Sequence, residues 1–488
     1  MSSLSQLKDE IRRLAKIEND LKLRLSEVQE LLCDTRIKAK QLEESLRIPY
    51  ISGLPFELLS VIFKIACANN TAPWRGSAEI MHNRPRSELI LAQVCRSWRS
   101  IAINTRSLWT NIRVYSKQSK PLLEMYLERC RQVALEIHCR YPLPGEAAEC
   151  ERINNFIRAT IHQCHGLDIF FPPSTNQNSF GVLCDLHAPS LKNLALIYKH
   201  FSVSDAISFR EDFPSLLNVD IQGFDPSHLF ANSRLNLVTS LFLSQTSLRG
   251  ISGKGFISFL GRLPSLLNIS LLGEPANFDD FSRDPVVTLQ RLESIHIISS
   301  YSGTLHALTA CIATPSLKHT TIDWSPAKDY VQDMRYQGLS FSNTPDTPWN
   351  SELLSLSIHD TFRSYGQIIH GLSIVFPSVT RLTFSNNADR AMEALMQSYG
   401  IPNATHTTDQ CWVKLKTLVL EDSGFDWRIL LRFLRARKDA GVTIEEVIAK
   451  LPADYILTSH SVNCSRHALP SSLEPLPVDA EMISGARM

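Results

Sequence analysis

Residues 4–46 carry a seven-residue repeat of apolar positions, which predicts a long helix that supercoils with another helix. Charged and amide side chains fill most of the positions in between, and Glu18 and Thr35 are the two polar exceptions within the repeat. Apolar positions sustained at this spacing are typical of a coiled coil, and a strict seven-residue period predicts a left-handed supercoil. The apolar positions are Leu4, Leu7, Ile11, Leu14, Leu21, Leu25, Val28, Leu32, Ala39, Leu42 and Leu46.

The repeat does not identify the partner of this helix. We expect self-association, or pairing with a partner helix, through residues 4–46. The alternative is a single amphipathic helix that folds back on the body of the protein. Residues 47–53, which include Pro49 and Gly53, predict a short hinge that ends the helix.

Three short apolar-periodic pieces follow, and they predict a small all-helical unit. The first covers residues 54–63, where Pro55 suits the first turn of a helix. The second, residues 89–102, predicts one further helix, and the third is a short piece at 108–109. Residues 67–88 contain Asn, Gly and Pro and predict a surface loop. Helices this short need support from the rest of the chain or from a partner.

The order of these pieces resembles an F-box, and the resemblance covers residues 48–115. The motif consists of Leu54-Pro55-x-Glu57-Leu58-Leu59-x-x-Ile62-Phe63, then Val94-Cys95-Arg96-x-Trp98-Arg99-x-Ile101-Ala102, then Leu108-Trp109. It is most similar to the F-boxes of the large fungal, basidiomycete-type families. Its insertion at 67–88 is longer than in the shortest F-boxes, although the fungal variants often have one.

The resemblance implies docking on the Skp-type adaptor of an SCF-type cullin–RING ubiquitin ligase. The alternative is that the same side chains form an ordinary helical core. On the F-box interpretation the adaptor-binding residues would be Leu54, Pro55, Leu58, Leu59, Ile62, Phe63, Val94, Trp98 and Trp109.

From about residue 120 a motif of the form Leu-x-x-Leu-x-Leu recurs along the chain. Most successive copies lie 22–28 residues apart, within the roughly 20–29-residue period of a leucine-rich repeat, and two steps of 36 residues imply insertions. Weaker copies lie at 133–137 and 167–169. The middle residues of the clear copies are Leu194, Val219, Leu241, Ile269, Ile295, Thr320, Leu356, Leu382 and Leu418.

Alternation along a strand places the last two apolar residues of each copy on one face, and stacked copies share a continuous core. We therefore predict an irregular leucine-rich-repeat-like α/β solenoid over 120–450; the alternative is a less regular α/β sheet. The residues in between would face the opposite, concave side, which similar F-box proteins use to hold a target. The predicted target-binding residues are Asp220, Ser270, His296, His359 and Thr383.

The end of the chain predicts one more helix and a tail. Residues 427–440 form an amphipathic basic pattern that Gly441 would end. This helix could cap the last repeat or bind an acidic partner. Residues 451–488 are rich in Pro and Ser and predict a loosely ordered tail.

Composition narrows the class of protein. Apolar residues make up 44% and charged residues 20%, as in soluble globular proteins, and a net charge of +1 gives no global attraction to nucleic acid or anionic membranes. Eleven cysteines without a Cys-x-x-Cys pair argue against a disulfide framework or zinc knuckle. With no signal peptide or spanning apolar run, we expect a cytoplasmic or nuclear protein.

The familiar catalytic motifs do not occur in the sequence. There is no P-loop, His-Glu-x-x-His or Gly-x-Ser-x-Gly motif, and Cys164 and His165 are adjacent rather than separated as in thiol enzymes. The histidines show no metal-binding spacing. We therefore expect no catalytic centre, metal or cofactor.

Three hypotheses remain for this multidomain chain, with a coiled coil at 1–47, an F-box at 48–115 and a solenoid at 120–450. The first is a substrate-recognition subunit of an SCF-type ligase. The second is a non-ligase scaffold that oligomerises through its coiled coil. The third, a hydrolase within an irregular α/β body, requires a clustered nucleophile and base that the sequence does not show.

Overall fold

The computed structural model divides the chain into two compact units, Met1–Leu108 and Trp109–Met488. The predicted tail at 451–488 and most of the insertion at 67–88 lie outside the described residues. The structure describes residues 2–46, 50–68, 86–143, 145–172, 184, 186–198, 208–210, 212–231, 233–245, 252–273, 276, 286–298, 308, 310–323, 353–359, 369, 372–373, 375–385, 388–399, 412–421 and 425–449.

The first unit is helical throughout its described part. Its long N-terminal helix agrees with the length predicted from the seven-residue repeat. Its elements are α1 (Ser2–Leu46), a 3-10 turn (Tyr50–Gly53), α2 (Phe56–Ala68), α3 (Ser87–Val94), α4 (Arg96–Asn104) and a second 3-10 turn (Arg106–Leu108).

Local backbone chemistry sets the ends of the short helices. Pro55 immediately precedes α2, and its carbonyl accepts the Leu59 N–H at 3.1 Å. The single helix predicted over 89–102 is wrong, because Cys95 is extended and separates α3 from α4. The Cys95 Sγ accepts the Trp98 N–H at 3.4 Å, so it caps the start of α4.

The second unit consists of parallel strands joined by helices and irregular segments. Its helices are α5 (Lys120–Cys130), α6 (Ala147–Thr160), α7 (Pro226–Leu229), α8 (Gly253–Leu260), α9 (Ala388–Tyr399) and α10 (Trp427–Asp439), with a 3-10 turn at Ile161–Gln163. Its strands are β1 (Asn111–Val114), β2 (Leu135–Arg140), β3 (Cys164–Phe171), β4 (Asn193–Tyr198), β5 (Asn218–Gln222), β6 (Ser240–Gln245), β7 (Asn268–Gly273), β8 (Val287–Thr288), β9 (Ser294–Ile298), β10 (Ile312–Ala313), β11 (His319–Asp323), β12 (Ser355–His359), β13 (Arg381–Ser385), β14 (Thr417–Leu420) and β15 (Glu446–Ala449).

Thirteen of these strands form one parallel sheet in chain order. Each strand pairs with the next, except that β8 and β10 leave this sheet and pair with each other. Because neighbouring parallel strands point the same way, each connecting segment must return to the starting edge before the next strand begins. The second unit is therefore an α/β region built on a large parallel sheet.

The predicted repeat centres lie opposite one another in this sheet. Leu194 pairs with Val219, which pairs with Leu241, and the pairing continues without a slip to Leu418. The same row extends to strands beyond the clear copies of the motif. The added members are Ile112, Ile137, Leu167 and Val447.

Each clear copy contributes three buried positions to the core, all of them apolar except Thr320. In the copy on β4 these are Leu191, Leu194 and Leu196, all almost fully buried. In the copy before β6 the first position is Val238, whereas Leu237 is half exposed. The residue three places before the repeat centre is therefore the buried one, even where it is not a leucine.

The predicted basic helix is α10, and it packs against α9. The Asp426 carboxylate accepts the Arg428 N–H at 2.8 Å at its start, and Gly441 follows its end with a positive φ of 77°. The Arg437 guanidinium is fully buried and donates to the Trp412 carbonyl at 3.2 Å. One side of the helix is thus part of the core of the second unit.

Thr320 is the polar exception among the repeat centres. Its side chain is almost fully buried between the paired residues Ile295 and Leu356. Among the described residues, no hydrogen-bond partner reaches its Oγ1. A buried hydroxyl without a partner costs stability, because it loses its hydrogen bonds to water.

We expect Thr320→Val to stabilise the second unit by about 1–2 kcal/mol, because valine keeps the shape and removes the unsatisfied hydroxyl. Chemical denaturation followed by circular dichroism measures the change. Thr321→Val is the matched control, since Thr321 lies on the other face of β11 and is partly exposed. Equal effects of the two changes would contradict this explanation.

Candidate functional site

The helix α2 has two apolar sides, one of which is buried and the other exposed. Leu59 is 2% exposed and Phe63 is also buried, whereas Leu58 is 52% and Ile65 is 58% exposed. Burial of one side follows from the packing of α2 against α3, α4 and the 3-10 turn before Trp109. The other side has no such neighbour among the described residues of the first unit.

The exposed side of α2 forms a continuous apolar stripe, which we call the docking face. Its members recur at i, i+3, i+4 and i+7, so they lie along one side of the helix. A partner groove that accepts one side of a helix is a recurrent mode of protein recognition. The docking face consists of Leu58, Val61, Ile62 and Ile65.

A second exposed apolar pair lies on α3. Ile90 and Val94 are four residues apart and are both about half exposed. Val94 is one of the residues singled out from the sequence, and Ile90, Val61 and Ile65 are not. The spacing of Val61 and Ile65 relative to Leu58 was the signal that could have identified them.

The buried members of the predicted adaptor-binding set stabilise the first unit instead. The Phe63 and Trp98 rings lie 4.9 Å apart between centroids, and Trp98 is half buried. Leu59 and Phe63 cannot contact a partner unless α2 separates from its neighbours. Pro55 is exposed and Leu54 is half buried at the start of the same helix.

Trp109 lies in the second unit, just before β1. It is fully buried, its ring centroid is 5.4 Å from that of Tyr126, and the Arg129 guanidinium lies 4.2 Å above it. Both neighbours are on α5. The Trp109 side chain is therefore a core residue of the second unit, although the motif suggested a surface role.

The second unit has a row of side chains on the sheet face opposite the repeat centres, and we call it the outer row. Strand alternation and the common register align one residue from each strand. Most of these side chains are partly exposed. The outer row is Arg113, His138, Asp168, Ala195, Asp220, Phe242, Ser270, His296, Thr321, Ser357, Thr383, Val419 and Ile448.

Four of the five predicted target-binding residues lie in the outer row. Asp220, Ser270 and His296 are partly exposed, and Thr383 is 8% exposed. His359 lies on the same face but two residues further along its strand, opposite Asp323 and Ser385. The structure thus places all five on one face of the sheet, in two adjacent rows.

A polar cluster at the first three strands was not identified from the sequence. The His138 Nδ1 lies 2.7 Å from the Asp168 Oδ2, and the Asn111 Nδ2 lies 2.9 Å from the His138 Nε2. A neutral ring that donates from Nδ1 and accepts at Nε2 satisfies both contacts. The weaker copy predicted at 133–137 ends one residue before His138, and only the strand register, in which Ile137 pairs with Leu167, brings His138 opposite Asp168.

The adjacent residues Cys164 and His165 lie on different faces of β3. Cys164 is buried, and burial raises the pKa of its thiol to about 12, so the thiol stays protonated at neutral pH. His165, by contrast, is partly exposed. Within the described part of the chain, His, Cys, Asp and Glu form no cluster of three or more suited to a metal ion.

The helices of the described residues were also compared with the length and hydropathy of membrane spans. None of them is both long and apolar enough to cross a bilayer.

Comparison with known families identifies the helical segment. Residues 51–115 match the F-box-like family. The chain therefore contains an F-box-like domain, as its residue pattern predicted. The matched segment includes the docking face, the exposed pair on α3 and both Trp98 and Trp109. A search of curated proteins finds no match to the chain.

We expect Leu59→Ala to lower the free energy of unfolding of the first unit by about 2–4 kcal/mol, because it leaves a cavity in the helical core. Leu58→Ala, one residue away on the docking face, should change it by less than about 0.5 kcal/mol. Urea denaturation followed by far-UV circular dichroism compares the two. A similar loss for both variants would show that the docking face is part of the core.

Proposed function

We propose that this protein is a substrate-recognition subunit of an SCF-type cullin–RING ubiquitin ligase. The observation that carries the proposal is the exposed apolar docking face within the F-box-like domain. F-box domains generally bind Skp-type adaptors, and this surface has the chemistry that such binding requires.

Burial of the docking face against an adaptor would contribute favourable binding free energy. Burying one Leu or Ile side chain fully stabilises a complex by roughly 1.5–3 kcal/mol. Four such side chains on one helix can therefore anchor a partner even after the cost of association. Leu59 and Phe63 support the docking face from behind, because they hold α2 against α3 and α4.

The second unit is the proposed target-binding part. We infer that its sheet is an irregular leucine-rich-repeat-like solenoid, and the chain-ordered parallel strands and the 22–28-residue period support this. Asp220, Ser270 and His296 offer hydrogen-bonding groups in one row, with Phe242 between them as an apolar contact. A target protein would lie along this row.

The ligation chemistry is assigned to the other subunits of the ligase. This chain would act by holding a target near the charged ubiquitin-transferring enzyme, which raises the local concentration of the reacting groups. The proposal requires no catalytic centre or cofactor in this chain, and it places the chain in the cytoplasm or nucleus.

Replacing the docking face by charge tests the proposal. We expect Leu58→Asp with Ile62→Asp to reduce capture of a purified Skp-type adaptor by the full chain at least about tenfold, because carboxylates would replace two exposed apolar residues that the complex would bury. Leu431→Asp is the matched control, since Leu431 is 51% exposed on α10 in the second unit. Circular dichroism confirms that each variant retains its helices.

Two outcomes would contradict adaptor docking through α2. One is unchanged capture by the folded double variant. The other is no capture by the unaltered chain at micromolar concentrations. Equal losses for the double variant and for Leu431→Asp would indicate nonspecific apolar capture, which also rejects the assignment.

A scaffold without ligase function is the second candidate, and the exposed apolar side chains of α1 favour it. Such a protein would oligomerise through α1 and bind a partner along the sheet. Recovery of the folded chain from cells with its partner, but without adaptor or cullin, would support the scaffold. Co-purification of adaptor and cullin would support the ligase subunit.

A further inference from the structure

The helix α1 presents its apolar side chains to solvent from residue 6 to residue 42. Every side chain from residue 6 to residue 42 is exposed. The large apolar ones are 46–65% exposed, a range that overlaps the 40–58% of the docking face. They are Leu7, Ile11, Leu14, Ile17, Leu21, Leu23, Leu25, Val28, Leu31, Leu32, Ile37 and Leu42.

Most of these residues form one seam. Eight of the twelve occupy the two alternating positions of the seven-residue repeat, and Ile17 and Leu31 flank them on one side. A helix of 45 residues is about 67 Å long, so the seam is too extended for a small apolar pocket. A partner helix of similar length and period is the complement that fits it.

We infer that a second copy of this chain covers the seam, as a parallel, in-register, two-stranded coiled coil through α1. A second copy carries the same period and length, so every apolar layer finds an apolar counterpart. This assembly is independent of adaptor binding, because the docking face lies on a different helix.

Charges beside the seam favour the parallel orientation. One of the two alternating seam positions falls at residues 11, 18, 25 and 32. In a parallel pair, the residue just before each of these faces the residue five places later in the other copy. This pairs Arg24 with Gln29, Ile17 with Lys22, and Leu31 with Arg36, so no like charges face each other. The flanking aliphatic residues then pack beside the methylene stems of Lys22 and Arg36.

The antiparallel orientation would bring basic groups together. With full overlap, Lys22 would lie opposite Lys22 of the other copy, and Arg24 opposite Arg24. Lys8 would also face Arg36. Like charges facing each other across a helical interface are destabilising, and the antiparallel arrangement has several such pairs near the seam.

Glu18 specifies the register of the parallel pair. It occupies a seam position, and its Oε1 lies 2.5 Å from the Nζ of its own Lys22. In register, two Glu18–Lys22 pairs would share one layer and remain partly hydrated. A slip of one repeat would place one Glu18 against Leu25 and the other against Ile11, so each carboxylate would face an apolar side chain instead of the shared, partly hydrated layer.

A cysteine in the seam tests orientation in the full-length chain. We expect Leu7→Cys, in a Cys33→Ala background, to form an interchain disulfide on mild oxidation, because residue 7 faces itself in a parallel pair. In the antiparallel pair the two cysteines would lie about 48 Å apart. Asp9→Cys in the same background is the control, since residue 9 points away from the seam and should cross-link little.

The outcomes of this experiment are distinct. A dimeric mass in light scattering together with cross-linking at residue 7 alone supports the inference. A monomeric mass at all concentrations overturns it, and so does a dimer that cross-links equally at both positions or at neither. A mass above that of a dimer overturns the two-stranded assembly. None of these readouts depends on the adaptor.

A change at Glu18 provides a second, independent test. We expect Glu18→Leu to lower the dissociation constant of the dimer at least about tenfold, because it replaces a charged layer with an apolar one. Glu30→Leu is the matched control, since Glu30 points away from the seam and should leave the constant within about twofold. Sedimentation equilibrium measures both, and equal effects would overturn the assigned seam.

Discussion

The in-register stacking of thirteen parallel strands is the constraint on which the second unit depends. Most strands bring two apolar residues to one face, and the preceding turn brings a third, as at β4 with Leu191, Leu194 and Leu196. A single copy leaves most of this surface in water, so a copy is stable only between its neighbours. The strand order of the sheet follows from that dependence, because each copy completes the core of the one before it.

The same stacking determines the spacing of side chains along the outer row. Adjacent parallel strands lie about 4.8 Å apart, so one residue per copy reaches the outer row at regular intervals. Hydrogen bonds already engage part of this row, since His138 is held between Asn111 and Asp168. Ser270 and His296 lie partly exposed towards the middle of the sheet.

In the first unit, the short helix α2 carries both buried residues that stabilise the unit and apolar residues that stay exposed. Leu59 and Phe63 hold α2 in place, and Leu58 and Ile62, one residue before each, remain exposed. The helix α1 carries a longer exposed apolar surface, since the side chains of its seam are exposed between residues 6 and 42. A dimer through α1 would carry two docking faces and two outer rows, and such paired sites raise the effective concentration of each for a divalent partner.

The sequence by itself determined the elements whose signal is a period. The seven-residue repeat predicted α1. The Leu-x-x-Leu-x-Leu spacing located the strands β4–β7, β9 and β11–β14 with their pairing register, because the same residue of each copy must reach the shared core. The F-box motif, likewise defined by spacing, predicted an F-box at 48–115, and residues 51–115 match the F-box-like family. Only the tertiary structure decided which apolar side chains are covered: Phe63 and Trp109 are buried, Leu58 is not, and Cys95 interrupts a helix that its neighbours predict as continuous. A period specifies which residues share a face, but burial depends on which other segments pack against that face, and those contacts join residues far apart in the chain.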